Sequence, residues 1–225
     1  MSIPAQPFVT RLADGGVFPH MLGKIVCVGR NYAEHARELD NPVPSAPLLF
    51  IKPATSAVPM AHDIAEPFTR GEVHFETELA LLIGKRLSGA SAEAAQQAVA
   101  GLGLALDLTL RDVQSQLKEK GHPWEIAKAF DGACPLSPFV ALHEVPDWAA
   151  LRFTLDIDGE RRQTGETRDM LFAIPELLAE MSRHFTLQPG DVVLTGTPAG
   201  VGPLPRNARL SLQASFGLEV TTRTR

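Results

Sequence analysis

The chain of 225 residues has only two cysteines, Cys27 and Cys134, one tyrosine and two tryptophans. Neither cysteine lies in a C-x-x-C pair, so the thiols supply no redox motif and no zinc-type ligand set. Residues Met1 to Gly23 carry Pro4, Pro7 and Pro19 and lack a basic start followed by an apolar core, so they do not read as a signal peptide. The expected compartment is therefore the reducing cytoplasm, with both thiols free. No apolar run approaches the roughly 18 residues of a membrane-spanning helix. Positive charge is not in excess either: 21 Lys and Arg against 26 Asp and Glu leave a formal charge of -5. That balance argues against nucleic acid or an anionic membrane as the partner. No repeat, low-complexity tract or convincing linker breaks the chain. A chain of this size buries roughly 70% of its unfolded surface and needs no disulfide or metal merely to fold.

Short strands with a few helices between them account for the hydrophobic pattern. Lys24 to Val28 and Leu48 to Ile51 read as buried strands, closed by Gly29 and by Lys52-Pro53. Ser91 to Ala100 reads as a short helix behind a capping serine, and Thr109 to Lys120 as a second, with Thr109 as N-cap. Leu151, Phe153, Leu155 and Ile157 alternate with other residues up to Asp158-Gly159, a hairpin signal. Ile174, Leu177, Leu178, Met181 and Phe185 form a helical stripe. Regular alternation of strand and helix is missing, so the predicted class is α+β. Two glycine clusters fail as nucleotide loops. Gly101-Leu102-Gly103 follows a helix and lacks the third glycine of the dinucleotide fingerprint, and Gly196 to Gly202 lacks a Lys-Ser/Thr ending. The second reads either as a plain turn or as a loop that lets backbone approach a small ligand.

Acidic residues carry the clearest chemical signal. Glu76 and Glu78 head the apolar run Leu79 to Ile83, and residues two apart on a strand point the same way. Two carboxylates side by side at a buried strand need compensation, for which a hard divalent cation is the simplest candidate. The pair alone also fits two solvated glutamates ahead of a strand that begins at Leu79. Asp107, ending the run Gly103 to Leu106, adds a third acid and favours Mg²⁺ or Mn²⁺ over zinc. His74 falls on the same predicted face, and we read it as a neighbour of the site in preference to a ligand. His35 and Glu38 lie one helical turn apart, where an acid can orient an imidazole as a base, although such a pair is more often a solvated helix face.

Taken together and in order, Gly29-Arg30-Asn31-Tyr32 with His35, Leu49 to Pro53, Glu76-Thr77-Glu78-Leu79, Asp107 to Gln114, Pro123-Trp124, Ala127 to Phe130 and Gly190 to Pro198 closely resemble the fumarylacetoacetate hydrolase superfamily. Any one stretch is weak, whereas the ordered set is specific and spans about residues 24 to 204. The short chain resembles the branch that processes acylpyruvates and oxaloacetate. The resemblance implies an α+β, irregular mixed β-roll with flanking helices: an extension over residues 1–23, then a catalytic domain over residues 24–225, usually as a homodimer. It implies Mg²⁺ or Mn²⁺ on Glu76, Glu78 and Asp107. It makes His35 with Glu38 a water-activating dyad on a lid-like segment from Asn31 to Asn41. Lys128 and Gln114 become catalytic donors, and Arg30, Lys52, Arg111 and Thr197 contact the substrate. The leading expectation is hydrolysis of a carbon–carbon bond in an acylpyruvate-type 2,4-dioxo acid, because only hydrolysis needs activated water. Oxaloacetate decarboxylation or keto–enol tautomerisation is the alternative, with a hydroxymuconate-type isomerase third. A non-catalytic binding protein would lack a base or an oxyanion donor, and this sequence lacks neither.

Overall fold

Leu79, Leu81 and Ile83 face one side of a strand and Ala80 and Leu82 the other, and all five are fully buried, so the strand needs cover on both faces. The computed structural model, which describes residues 7–38, 44–65, 71–145, 147 and 150–225, provides it. Among these residues an eight-stranded mixed sheet forms the centre. Its order is β2 (Leu48–Pro53), β1 (Lys24–Gly29), β12 (Val192–Leu194), β5 (Thr77–Ile83), β6 (Val99–Leu106), β8 (Cys134–Leu136) and β3 (Ala57–Pro59), with β9 (Val140–Ala141) also on β6. A second sheet runs β11 (Glu160–Glu166), β10 (Arg152–Ile157), β14 (Arg209–Ala214) and β15 (Leu218–Arg223), and a third runs β13 (Gly202–Pro203), β4 (Val73–Phe75) and β7 (Thr109–Leu110). The helices are short: α1 (Ala33–Glu38), α2 (Ala92–Gln96), α3 (Arg111–Glu119), α4 (Glu125–Lys128) and α5 (Ile174–His184). This is the mixed α+β architecture expected from the sequence. No described helix is long and apolar enough to cross a membrane.

One face of the central sheet joins the larger core, including Val26, Leu104, Leu177 and Leu212. The other holds Ile25, Cys27, Leu82 and Phe139, against which Phe8, Leu12 and Phe18 pack. The segment before Lys24 is tied there by backbone bonds, Ala13 N–H to Phe139 O at 2.8 Å and Phe139 N–H to Arg11 O at 2.9 Å. Both cysteines are buried and free, and burial drives their thiol pKa values up.

Several boundaries differ from those predicted. The helix after Ser91 stops at Gln96, and β6 already starts at Val99, because Gly101 and Gly103 leave room for Val140 and Ser137 on the neighbouring segment. Thr109 does not cap α3. It belongs to β7, its hydroxyl donates to Asp107 O at 3.2 Å, and the helix begins at Arg111. The hairpin at Asp158-Gly159 forms as expected, with φ of 52° and 85°.

Candidate active site

The two predicted metal-ligand glutamates do not share one strand. β4 ends at Phe75 in the third sheet and β5 begins at Thr77 in the central one, so Glu76 is the residue at which the chain changes sheets. Asp107 follows β6, and its N–H donates to Glu76 O at 2.8 Å. A strand pairing therefore brings the third acid to the first two. Glu76, Glu78 and Asp107 are all buried, and one oxygen from each lies within 4.8 Å of the others. His74 stays on β4 and pairs with Glu72 at 3.1 Å, outside this triad, as a neighbour would.

Three cations face the three acids. Lys128 Nζ lies 2.8 Å from Glu76 Oε2 and 2.7 Å from Asp107 Oδ2. Arg111 pairs with Glu76 and donates to Gln114 Oε1 at 2.7 Å. Lys52 Nζ lies 2.8 Å from Asp107 Oδ1. Burial alone would raise the pKa of Glu76, but Lys128, Arg111 and His35 outweigh it and hold this carboxyl well below the usual range. Glu78 behaves oppositely. Burial, then Asp107 and Glu76, push its pKa well up, although Gly196 N–H donates to its Oε2 at 2.6 Å. Lys128 stays protonated, because Asp107 and Glu76 together overcome the effect of its burial.

The triad fits a hard divalent cation. Its donors are all carboxylate oxygens, they converge, and Asp107 Oδ1 receives no aligned hydrogen bond despite the nearby Lys52. The raised pKa of Glu78 points the same way, since a bound cation would take the place of the proton there.

Among the other predicted residues, Arg30, His35, Arg111, Gln114, Lys128 and Thr197 line one cavity with the triad. Phe50 and Trp124 form its apolar wall, and Lys128 Nζ lies 5.2 Å from the Phe50 ring centroid. His35 is buried, with Nδ1 3.4 Å from Glu38 Oε2, and burial lowers its pKa despite Glu76 and Glu38. Glu38 also accepts from Gly200 N–H at 3.0 Å, which ties α1 to the glycine-rich loop. Asn41, the far end of the expected lid, lies outside the described residues.

Lys52 is the departure. It is fully buried behind Asp107, its ammonium also directed at Leu108 O, Lys128 O and Ala133 O, and it does not line the cavity. Lys52 shares its face of β2 with the cavity residues Leu48 and Phe50, but its ammonium is drawn to those three carbonyls and to Asp107, and it holds Asp107 from outside the cavity lining.

Gln163 and Asn31 escaped the sequence reading. Gln163, on β11, accepts from Thr77 N–H at 2.9 Å and donates to Thr197 Oγ1 at 2.8 Å and Pro198 O at 3.0 Å. Thr197 Oγ1 in turn donates to Thr77 O at 2.9 Å, so its proton is already engaged. Asn31 is clamped by Thr195 O, Phe172 O and Phe172 N–H. No local motif marks Gln163, since its partners are about 35 and 86 residues away. Asn31 stood inside a quoted motif but carries no chemistry that would single it out.

Residues 24–222 match the family described as Fumarylacetoacetate (FAA) hydrolase C-terminal. The oxaloacetate tautomerase YcgM of Escherichia coli is 49% identical over 93% of this chain and 96% of its own length. The mitochondrial oxaloacetate tautomerase FAHD1 of Bos taurus is 48% identical over 81% and 83%. Among solved structures, the fumarylpyruvate hydrolase of Pseudomonas aeruginosa in complex with Mn²⁺ and pyruvate superposes with a TM-score of 0.91 at 35% identity, covering 100% of this chain and 98% of that one. That Mn²⁺ complex and the acidic triad support a divalent metal in this site. The two tautomerases overturn the expectation of an acylpyruvate-type carbon–carbon hydrolase, since the relatives of higher identity are named for oxaloacetate chemistry. The physical error lay in treating the His35–Glu38 pair as diagnostic of water activation, whereas moving a proton between carbon and oxygen needs a base equally. The chain belongs to the fumarylacetoacetate hydrolase family and is an enzyme of that superfamily.

Proposed function

We propose that this enzyme is an oxaloacetate keto–enol tautomerase that uses Mg²⁺ or Mn²⁺, and that it works as a cytoplasmic homodimer on this small dicarboxylic acid without nucleic acid or membrane. The observation that carries the reading is near-full-length identity of 49% to an oxaloacetate tautomerase, in a chain whose triad, base and cations converge on one cavity. Tautomerisation removes the enol O–H proton, adds one to C3 and turns C2=C3 into C2=O; nothing is oxidised or hydrolysed. Both directions pass through an enolate, so a base and a charge-stabilising environment suffice.

A divalent cation held by Glu76, Glu78 and Asp107 would supply Lewis acidity at the oxygens of the 2-oxo acid. His35, with its lowered pKa, is neutral near pH 7. Glu38 on Nδ1 assigns the proton to that nitrogen, which leaves Nε2 to accept and return a proton. Lys128 stays charged and cannot act as the base, but its ammonium stabilises enolate charge. Gln114, held by Arg111, presents its amide toward the same space.

The test follows the ultraviolet absorbance of enol-oxaloacetate with and without Mg²⁺, while pyruvate is measured in parallel. Acceleration of enol loss that vanishes on chelation, with pyruvate formation far slower, is the expected result. No acceleration would overturn the reading, and pyruvate appearing at the rate of enol loss would reassign the enzyme as a decarboxylase.

A further inference from the structure

A second cavity adjoins the one that holds the triad. Leu48, Phe50, Trp124 and Lys128 line both, so the second begins where these side chains close the first. The two differ tenfold in volume, about 40 Å³ for the first and about 400 Å³ for the second. Ile51, Pro123 and Phe185 extend the second as apolar surface, with the exposed His122 and Glu125 as its polar members. No part of the chemistry above uses this space.

The barrier between them is a pair of rings. The centroids of Phe50 and Trp124 lie 6.2 Å apart at an interplanar angle of 58°, a tilted aromatic contact that leaves no passage between the rings. Lys128 Nζ, 5.2 Å from the Phe50 centroid, holds that ring by a cation–π contact, and Lys128 is itself fixed by Glu76 and Asp107. Trp124 stands at the start of α4, where its carbonyl accepts from Ala127 N–H at 2.9 Å and Lys128 N–H at 3.0 Å. The wall is therefore built onto the same short helix as the ammonium that stabilises enolate charge. The tight space in front of it suits a compact acid, whereas a phenyl-sized substituent needs the room behind.

We propose that Phe50 and Trp124 are specificity-determining residues that confine the enzyme to compact 2-oxo acids, by shutting an apolar substituent on C3 out of the adjoining cavity. This rests on the oxaloacetate reading and deepens it by naming the side chains that set the size limit. The exclusion is steric, because the space behind the rings is roomy and mostly apolar and would accept such a group once joined to the site. Trp124 is the ring to remove. The bonds that α4 takes from it come from its main-chain carbonyl, which every substitution keeps, whereas loss of Phe50 would also free Lys128.

The experiment uses phenylpyruvate, which carries a phenyl ring on C3 where oxaloacetate carries a carboxylate and undergoes the same keto–enol exchange. With Mg²⁺ present, kcat/KM for the two enols and calorimetric affinities for phenylpyruvate and oxalate are measured in wild type, Trp124→Ala, Trp124→Leu and Trp124→Phe. The expected result is that Trp124→Ala raises the phenylpyruvate-to-oxaloacetate ratio of kcat/KM roughly tenfold or more, the scale of burying one aromatic ring. Its affinity for phenylpyruvate relative to oxalate should rise by as much. Trp124→Leu should show a smaller rise, readable even if the alanine variant fails to fold, and Trp124→Phe should keep most of the exclusion. Unchanged ratios in opened variants that still bind oxalate would overturn the size limit and leave the function intact. So would a wild type that takes phenylpyruvate as readily as oxaloacetate. A wild type that accelerates neither enol would overturn the function, and the relative affinities would then decide the wall by themselves.

Discussion

His35 and Glu78 show how burial sets chemistry at single residues. The pKa of His35 is lowered chiefly by burial, so its basic form persists below the ordinary range of about 6.5. Activity that needs neutral imidazole should therefore hold as pH falls through 6.5 and decline only below it, a shift that kcat against pH would display. His35→Ala should cost tautomerisation roughly 100-fold while Mg²⁺ affinity by calorimetry stays near wild type. Equal loss of both would mean that the histidine builds the metal site. Glu78 has the opposite sign: its raised pKa means that the metal-free protein holds a proton which a cation must displace. Mg²⁺ binding should thus release a proton and weaken as pH falls. Calorimetry in buffers of different ionisation enthalpy checks this, and buffer-independent heats would contradict it.

At the scale of elements, the site is built where secondary structure ends. Glu76 lies between two strands, Asp107 follows one, and Gly196 closes the loop after β12 with a φ of 95°. A Cβ on Gly196 would stand 2.7 Å from that of Asn31, so the loop and the root of α1 are fitted to each other. Glu38 completes the join through Gly200 N–H and His35. We propose that helix α1 (Ala33–Glu38) acts as a lid that a carboxylate ligand orders. Glu38→Ala should raise hydrogen exchange across α1 and abolish the extra protection that oxalate with Mg²⁺ confers on wild type. Identical exchange in the variant and wild type would show that the bond to Gly200 does not fasten the helix.

The whole molecule depends on covering both faces of the central sheet. Phe8, Leu12 and Phe18 lie on one of them, so removing residues 1–19 uncovers apolar surface around Ile25, Leu82 and Phe139. Roughly 3 to 5 kcal/mol should be lost at about 25 cal/mol per Å², which corresponds to a fall in Tm of about 10 °C. A truncated protein melting within 2 °C of full length, by roughly the same conversion, would mean that the segment adds little.

Buried strands, the hairpin at Asp158-Gly159 and the stripe of α5 were legible in the sequence, because each rests on local periodicity or turn preference. The E-x-E spacing and the later aspartate likewise named the three acids, since charges beside buried apolar runs demand an explanation wherever they fold. Function was less legible: one arrangement of base, metal and cations serves hydrolysis and proton transfer alike. Only the tertiary structure decided that Glu76 is a crossing point between sheets, that Lys52 stands behind Asp107, and that Gln163 locks Thr197 from another sheet. Those contacts join residues far apart in the chain, and their existence depends on strand register, which no local preference encodes.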